Sequence, residues 1–181
     1  VSYRGMLEGE HRWGSYHIRH LQADADIPST TRDVQQTSAR AVVRAGQHVT
    51  FDAVYRYNRR GWGTWTALES RSRYGRAGAR WSTAAGDTGW GASLYAVNRL
   101  FGFTERSYAE GEVSARRGRV SARVKGRAGR VTVPGSVGPY RGLDARLSFR
   151  TGAVSFSGGA SAVQSIQPFT GEQVSGVDLQ A

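Results

Sequence analysis

Cysteine is absent from the 181 residues, so neither a disulfide framework nor a thiolate metal site is possible. Its absence leaves the redox compartment open. Lysine is nearly missing as well: Lys125 is the only one, so almost all positive charge is arginine. Either planar, bidentate contact with phosphates and carboxylates or the codon usage of a GC-rich genome accounts for that bias. Proline occurs only four times. No apolar run approaches the roughly 18 residues of a membrane-crossing helix. No G-x-G-x-x-G, P-loop or G-x-S-x-G frame occurs. The chain opens on Val1 without a visible signal peptide, consistent with a cleaved leader or a trimmed initiator Met.

What is present is charge of one sign on a two-residue rhythm. Formal net charge is +11, which favours anionic partners such as nucleic acid, head groups, acidic glycans or an acidic subunit face. From Ser114 to Val131 the chain reads SARRGRVSARVKGRAGRV, with cations alternating against Val, Ala and Gly. Period two places side chains on opposite faces of a strand, so a hairpin with one cationic and one thin apolar face is expected, the apolar and small residues being the ones turned inward. The same alternation returns in LDARLSFR, where Leu143, Ala145, Leu147 and Phe149 share one face and Asp144, Arg146, Ser148 and Arg150 the other. VTFDAVYRY puts Val49, Phe51, Ala53, Tyr55 and Tyr57 together, with a turn expected at 58–61 and the strand restarting as WGTWTALESRSRY. A further turn is expected at Gly86-Asp87-Thr88-Gly89. Residues 98–103 suit a helical turn or a loop, and PGSVGPYRG a loop built on Pro134 and Pro139.

Turn signals every 8–12 residues, with no helical periodicity, predict an all-β fold. The expected form is an antiparallel β-sandwich or flattened barrel of about 8–10 strands with an extended N-terminal arm. The divisions expected are an arm and polar linker over 1–40, a β domain over 41–168, and a tail or edge strand over 169–181.

The candidate anion- or partner-binding residues are Arg116, Arg117, Arg119, Arg123, Lys125, Arg127 and Arg130, with Arg146 and Arg150 from a later strand. Like charges side by side repel unless phosphates, an acidic subunit or salt neutralise them. A second candidate is an aromatic surface of Tyr55, Tyr57, Trp62 and Trp65 interleaved with arginine, suited to stacking on bases or sugars or simply to cross-strand packing. His11, His17 and His20 precede Asp24 and Asp26, but His17 and His20 point apart on a strand and the spacing fits no metal signature. Glu110 and Glu112 resemble a paired-carboxylate site, yet are expected to face the arginines of the following strand. No catalytic residue, metal or cofactor is expected.

The function expected is a non-enzymatic structural subunit, extracellular or virion-associated, that self-assembles as a homo-oligomer by strand exchange and charge-complementary contacts. The alternative is a binding module for a glycan, lipid or nucleic acid using the Arg/Trp surface. An outer-membrane barrel fits loosely, but arginine interrupts the hairpins and late strands too often for an apolar outer band.

Overall fold

A computed structural model of the chain describes residues 2–23, 34–60, 70–151, 154–167 and 170–180. They form β1 (Ser2–His11), β2 (Gly14–Ala23), β3 (Val34–Ala45), β4 (Val49–Arg60), β5 (Ser70–Ala85) and β6 (Thr88–Phe101). β7 (Thr104–Arg117), β8 (Val120–Val133), β9 (Ser136–Thr151), β10 (Val154–Ile166) and β11 (Gln173–Gln180) complete the chain. All lie in one 11-stranded sheet in chain order, each strand antiparallel to the next. The all-β antiparallel class is therefore the one expected. The strand number exceeds eight to ten because the first residues form the β1–β2 hairpin, joined to the sheet through β2–β3, and because β11 pairs with β10.

Connections at one end of the sheet are tight, as at Gly46, Gly86 and Gly118, where φ is 74°, 56° and 55°. Glycine enters that left-handed region without steric cost. These turns mark the short-turn end of the sheet. The opposite end carries the long connections β2–β3 and β4–β5, whose residues lie outside those described, together with tight turns at Gly102 and Gly135.

Three local expectations are corrected. β6 runs straight to Phe101, and only Gly102-Phe103 turns, so residues 98–103 hold no helical turn. Pro134-Gly135 completes the next turn with Gly135 at φ 77°, and β9 starts at once, so Pro139 lies within a strand. It is tolerated there because β10 pairs with β9 only as far as Arg141, leaving Pro139 on a locally unpaired edge. The expected turn at 58–61 is also displaced: Asn58, Arg59 and Arg60 remain in β4, and the connection beyond is outside the described residues.

The sheet is curved. One cavity of about 1110 Å³ is lined by both His17 on β2 and Lys125 on β8. In a flat sheet those strands would lie roughly 29 Å apart, at ~4.8 Å per strand. Tyr95, Val97, Val131, Val133 and Tyr140 are buried on the concave face. Val131 is fully buried, whereas Leu94 on the convex face is 64% exposed.

That curvature reverses one expectation. The alternation is as expected, but the apolar positions are not the ones turned inward. Phe51, Tyr55, Val124, Leu143, Leu147 and Phe149 are all exposed on the convex face. Asp52, Glu110, Lys125 and Arg127 alternate with such residues and lie half-buried on the concave face. A pattern of period two specifies which residues share a face but not which face is enclosed.

Candidate functional site: a polar interior inside an apolar wall

The convex face is ordered along each strand. Tyr16, Phe51, Trp90 and Phe156 are each the third residue of their strand from the short-turn end, and Phe149 holds the same place on β9. All are exposed, and Phe149 pairs directly with Phe156. From that aromatic row the outward positions stay apolar for the same distance on strand after strand. On β6 they run Trp90, Ala92, Leu94, Ala96 and then Asn98. On β5, where Thr83 stands in line with the row, they then run Trp81, Ala79, Ala77, Gly75 and Arg73. β7 gives Ala115, Val113, Gly111, Ala109 and then Ser107; β9 gives Phe149, Leu147, Ala145, Leu143 and then Arg141. β10 gives Phe156, Gly158, Ala160, Ala162 and then Gln164. Trp90 to Asn98 is roughly 26 Å along the strand at ~3.3 Å per residue.

The polar margin is hydrogen-bonded within itself. Asn98 Nδ2 donates to Glu105 Oε1 and Ser107 Oγ, each at 2.8 Å, and Arg73 Nη2 donates to the same Glu105 oxygen at 3.0 Å. Further round, His20 Nδ1 meets Thr37 Oγ1 at 2.8 Å.

The interior has three levels. Near the long-connection end Val131, Val133, Tyr140 and Ile166 form a small apolar core against Tyr108, whose ring centroid is 4.9 Å from that of Tyr140. Burial, with Tyr140 and the Glu110 carboxylate beside it, pushes the Tyr108 phenol up.

The middle level is charge-matched. The Glu110 carboxylate meets Lys125 Nζ at 3.0 Å and Arg127 Nε at 2.9 Å. Burial by itself raises the Glu110 carboxyl, but the bonds from Arg127 and Lys125 outweigh it and hold the group below the usual carboxylate range. Beside it on the same wall, where Tyr95 is paired with Glu110, Tyr95 Oη donates to Asp52 Oδ1 at 2.6 Å, Arg76 lies 3.8 Å from the other Asp52 oxygen, and its guanidinium covers the Tyr95 ring at 3.6 Å.

The short-turn level is an open hollow of about 590 Å³ with Arg80, Arg116, Arg123 and Arg146 on its lining and Glu112 as its one carboxylate among the described residues. Arg123 Nε lies 3.2 Å from Glu112 Oε1.

The candidate arginines therefore divide. Arg116, Arg123, Lys125, Arg127, Arg146 and Arg150 fall on the concave face; Arg117 and Arg130 alternate onto the convex face, and Arg119 sits in the β7–β8 turn. Glu110 and Glu112 face the next strand's cations, as expected. Tyr55 and Tyr57 lie on the convex face; Trp62 and Trp65 are outside the described residues, as are Asp24 and Asp26. His17 faces inward, 3.5 Å from Glu8, and His20 outward, so they do not converge. Sequence reasoning missed the aromatic row and the Asp52–Arg76–Tyr95 group. The row's constant offset from tight turns was its available signal. No family model, curated protein or solved structure matches the chain.

Proposed function

We propose that this chain forms the wall of a membrane-spanning β-barrel, its convex face against lipid and its charged concave face around a hydrated interior. The observation that carries this is the convex band: an aromatic row at one margin, a polar row at the other, and only apolar or glycine positions between them on β5, β6, β7, β9 and β10. Membrane barrels have this inverted order, with an apolar belt about 25 Å tall, aromatic girdles, and strands alternating apolar-out and polar-in. Strands of 10 to 16 residues from β1 through β10 meet the ~9–11 residues a tilted crossing needs. The arginines that argued against a barrel do not interrupt this band, because in its middle they occupy the alternate positions. Tight turns at one end, with the longer connections β2–β3 and β4–β5 confined to the other, fit the same architecture. A bilayer tolerates no open sheet edge, so β1 and β11 require partners within it. Both strands run in the same direction, so a direct seam is parallel, while an added strand would keep every pair antiparallel.

The self-assembling subunit is the second proposal, because the same exposed apolar face and the β1 and β11 edges suit contacts between copies in water. Refolding from urea with and without phosphatidylcholine vesicles separates the two. Membrane insertion predicts flotation with the vesicles, resistance to carbonate extraction and heat-modifiable electrophoretic migration. Discrete soluble oligomers that ignore vesicles overturn it in favour of the subunit.

A further inference from the structure

We infer that the short-turn end of the interior is a binding site for a small polyvalent oxyanion of the phosphate class. Arg123 on β8 is paired directly with Arg146 on β9. Opposed partners hold their Cβ atoms about 4.5–5.5 Å apart, where like charges destabilise a sheet. Ser148 on β9 and Ser121 on β8 face each other two residues away, and Ser121 is in turn paired with Arg116 on β7. Ser114 is paired with Arg123 from the other side. Guanidinium forks and hydroxyl donors thus alternate around one hollow.

The contrast with the next level supplies the argument. There the cations Lys125 and Arg127 converge on Glu110, and Arg76 has Asp52. At the short-turn level Arg80, Arg116, Arg123 and Arg146 share a lining with one carboxylate among the described residues, Glu112; Arg123 engages Glu112 and Arg146 has a contact of its own, so the contrast rests on Arg80 and Arg116. Formal charge is therefore positive there whatever the side chains' mutual geometry, and it is concentrated within a concave surface, where the field is focused. A hollow of about 590 Å³ admits a phosphate, a pyrophosphate or a small phosphate ester. A nucleic-acid duplex does not enter such a space. Planar guanidinium groups pair with phosphate oxygens bidentately, and serine hydroxyls donate to the oxygens that remain.

This site rests on the concave face being an accessible interior, but its occupancy is measurable without a bilayer. The experiment is calorimetric titration of the full chain in detergent micelles with inorganic pyrophosphate, repeated at rising sodium chloride. The wild type binds, with affinity falling as salt rises. R123Q/R146Q weakens binding at least tenfold, and the single variant R146Q weakens it by a smaller factor should the double variant not fold. R130Q, on the convex face, binds like the wild type. E112Q binds more tightly, because a like charge beside the anion is removed; a merely structural role for Glu112 gives the opposite sign. Absence of binding at millimolar pyrophosphate, or equal weakening by R130Q and R146Q, overturns the site. Vesicle flotation of the same samples reports separately on the membrane wall, so loss of one leaves the other standing.

Discussion

The Tyr95 hydroxyl donates to the Asp52 carboxylate at 2.6 Å although β5 lies between their strands. The reach depends on Gly78, which is paired with Asp52 on one side and with Tyr95 on the other. A Cβ on Gly78 would press on the Leu94 carbonyl oxygen and lie 2.6 Å from Tyr95 Cδ1. Because the nearest of these atoms are backbone or ring, they cannot swing aside. G78A is therefore expected to destabilise the fold by about 1–3 kcal/mol through overpacking. Gly126, where a Cβ meets nothing within 4 Å, is the control, and G126A should leave stability nearly unchanged. Urea unfolding in micelles checks both.

The same bond gives a coupling that can be measured. Y95F removes the donor and leaves the Asp52 carboxylate with Arg76 at 3.8 Å. A half-buried charge losing a hydrogen bond costs about 1–3 kcal/mol. D52N removes the charge that draws both Tyr95 and Arg76. The double variant should cost less than the two single variants added together, with a coupling of about 0.5–3 kcal/mol as expected for residues in one network. Additive losses would show that the bond contributes nothing to stability.

Glu110 sets a pH dependence. Its carboxyl is held below the ordinary value of 4.5 by Arg127 and Lys125 against the opposing effect of burial. A group whose folded pKa is depressed stabilises the fold above its unfolded pKa, and that stabilisation disappears as pH falls through the folded value. Stability should therefore be flat through neutrality and decline below about pH 4.5, with E110Q declining less steeply over the same window. Unfolding midpoints at stepped pH decide this. Equal slopes for the wild type and E110Q would remove Glu110 as the cause.

How much of this was legible in the sequence follows from the residues. Leu143, Ala145, Leu147 and Phe149 share one face, as their spacing predicts, because alternation along a strand is a local property. Their orientation was not legible: exchanging inside for outside leaves the same alternating string. What breaks the tie is non-local. The carboxylate that neutralises Lys125 and Arg127 comes from Glu110, a strand away, and the Asp52–Tyr95 bond needs the register of β4, β5 and β6 together. The aromatic row becomes visible only once the turn ends are known, since Tyr16, Phe51, Trp90, Phe149 and Phe156 are irregularly spaced in the chain and aligned only across strands.

Neighbouring residues with opposite facings test the membrane wall. Leu94 lies at the middle of the outward run on β6, and Ser93 beside it lines the basic hollow. Lysine at an outward midplane position of a membrane barrel costs about 2–4 kcal/mol of folding free energy in lipid. L94K should therefore lower the folded fraction in vesicles sharply, while S93K, entering a hydrated interior, gives a much smaller loss. In water without lipid the order should invert, since L94K covers an exposed apolar face and S93K adds charge to a cationic hollow. Equal losses in vesicles would exclude a lipid-facing Leu94.

Trp81 and Trp90 supply a measure of depth. Both lie on the convex face, but Trp90 stands in the aromatic row beside Thr83, whereas Trp81 is two residues further from the same turn and paired with Ala92. Two residues of strand correspond to roughly 6.6 Å along its axis, or about 5 Å in depth for a tilt near 40°. In variants that retain only one of these tryptophans, lipids brominated close to the head group should quench Trp90 more strongly, and lipids brominated further down the chain should quench Trp81 more strongly. The crossover requires an embedded convex face: a protein resting on the vesicle surface would show shallow quenching for both, and a soluble oligomer none. A wall spanning the bilayer places the two indoles at different depths because the strand itself, not a flexible side chain, sets their separation.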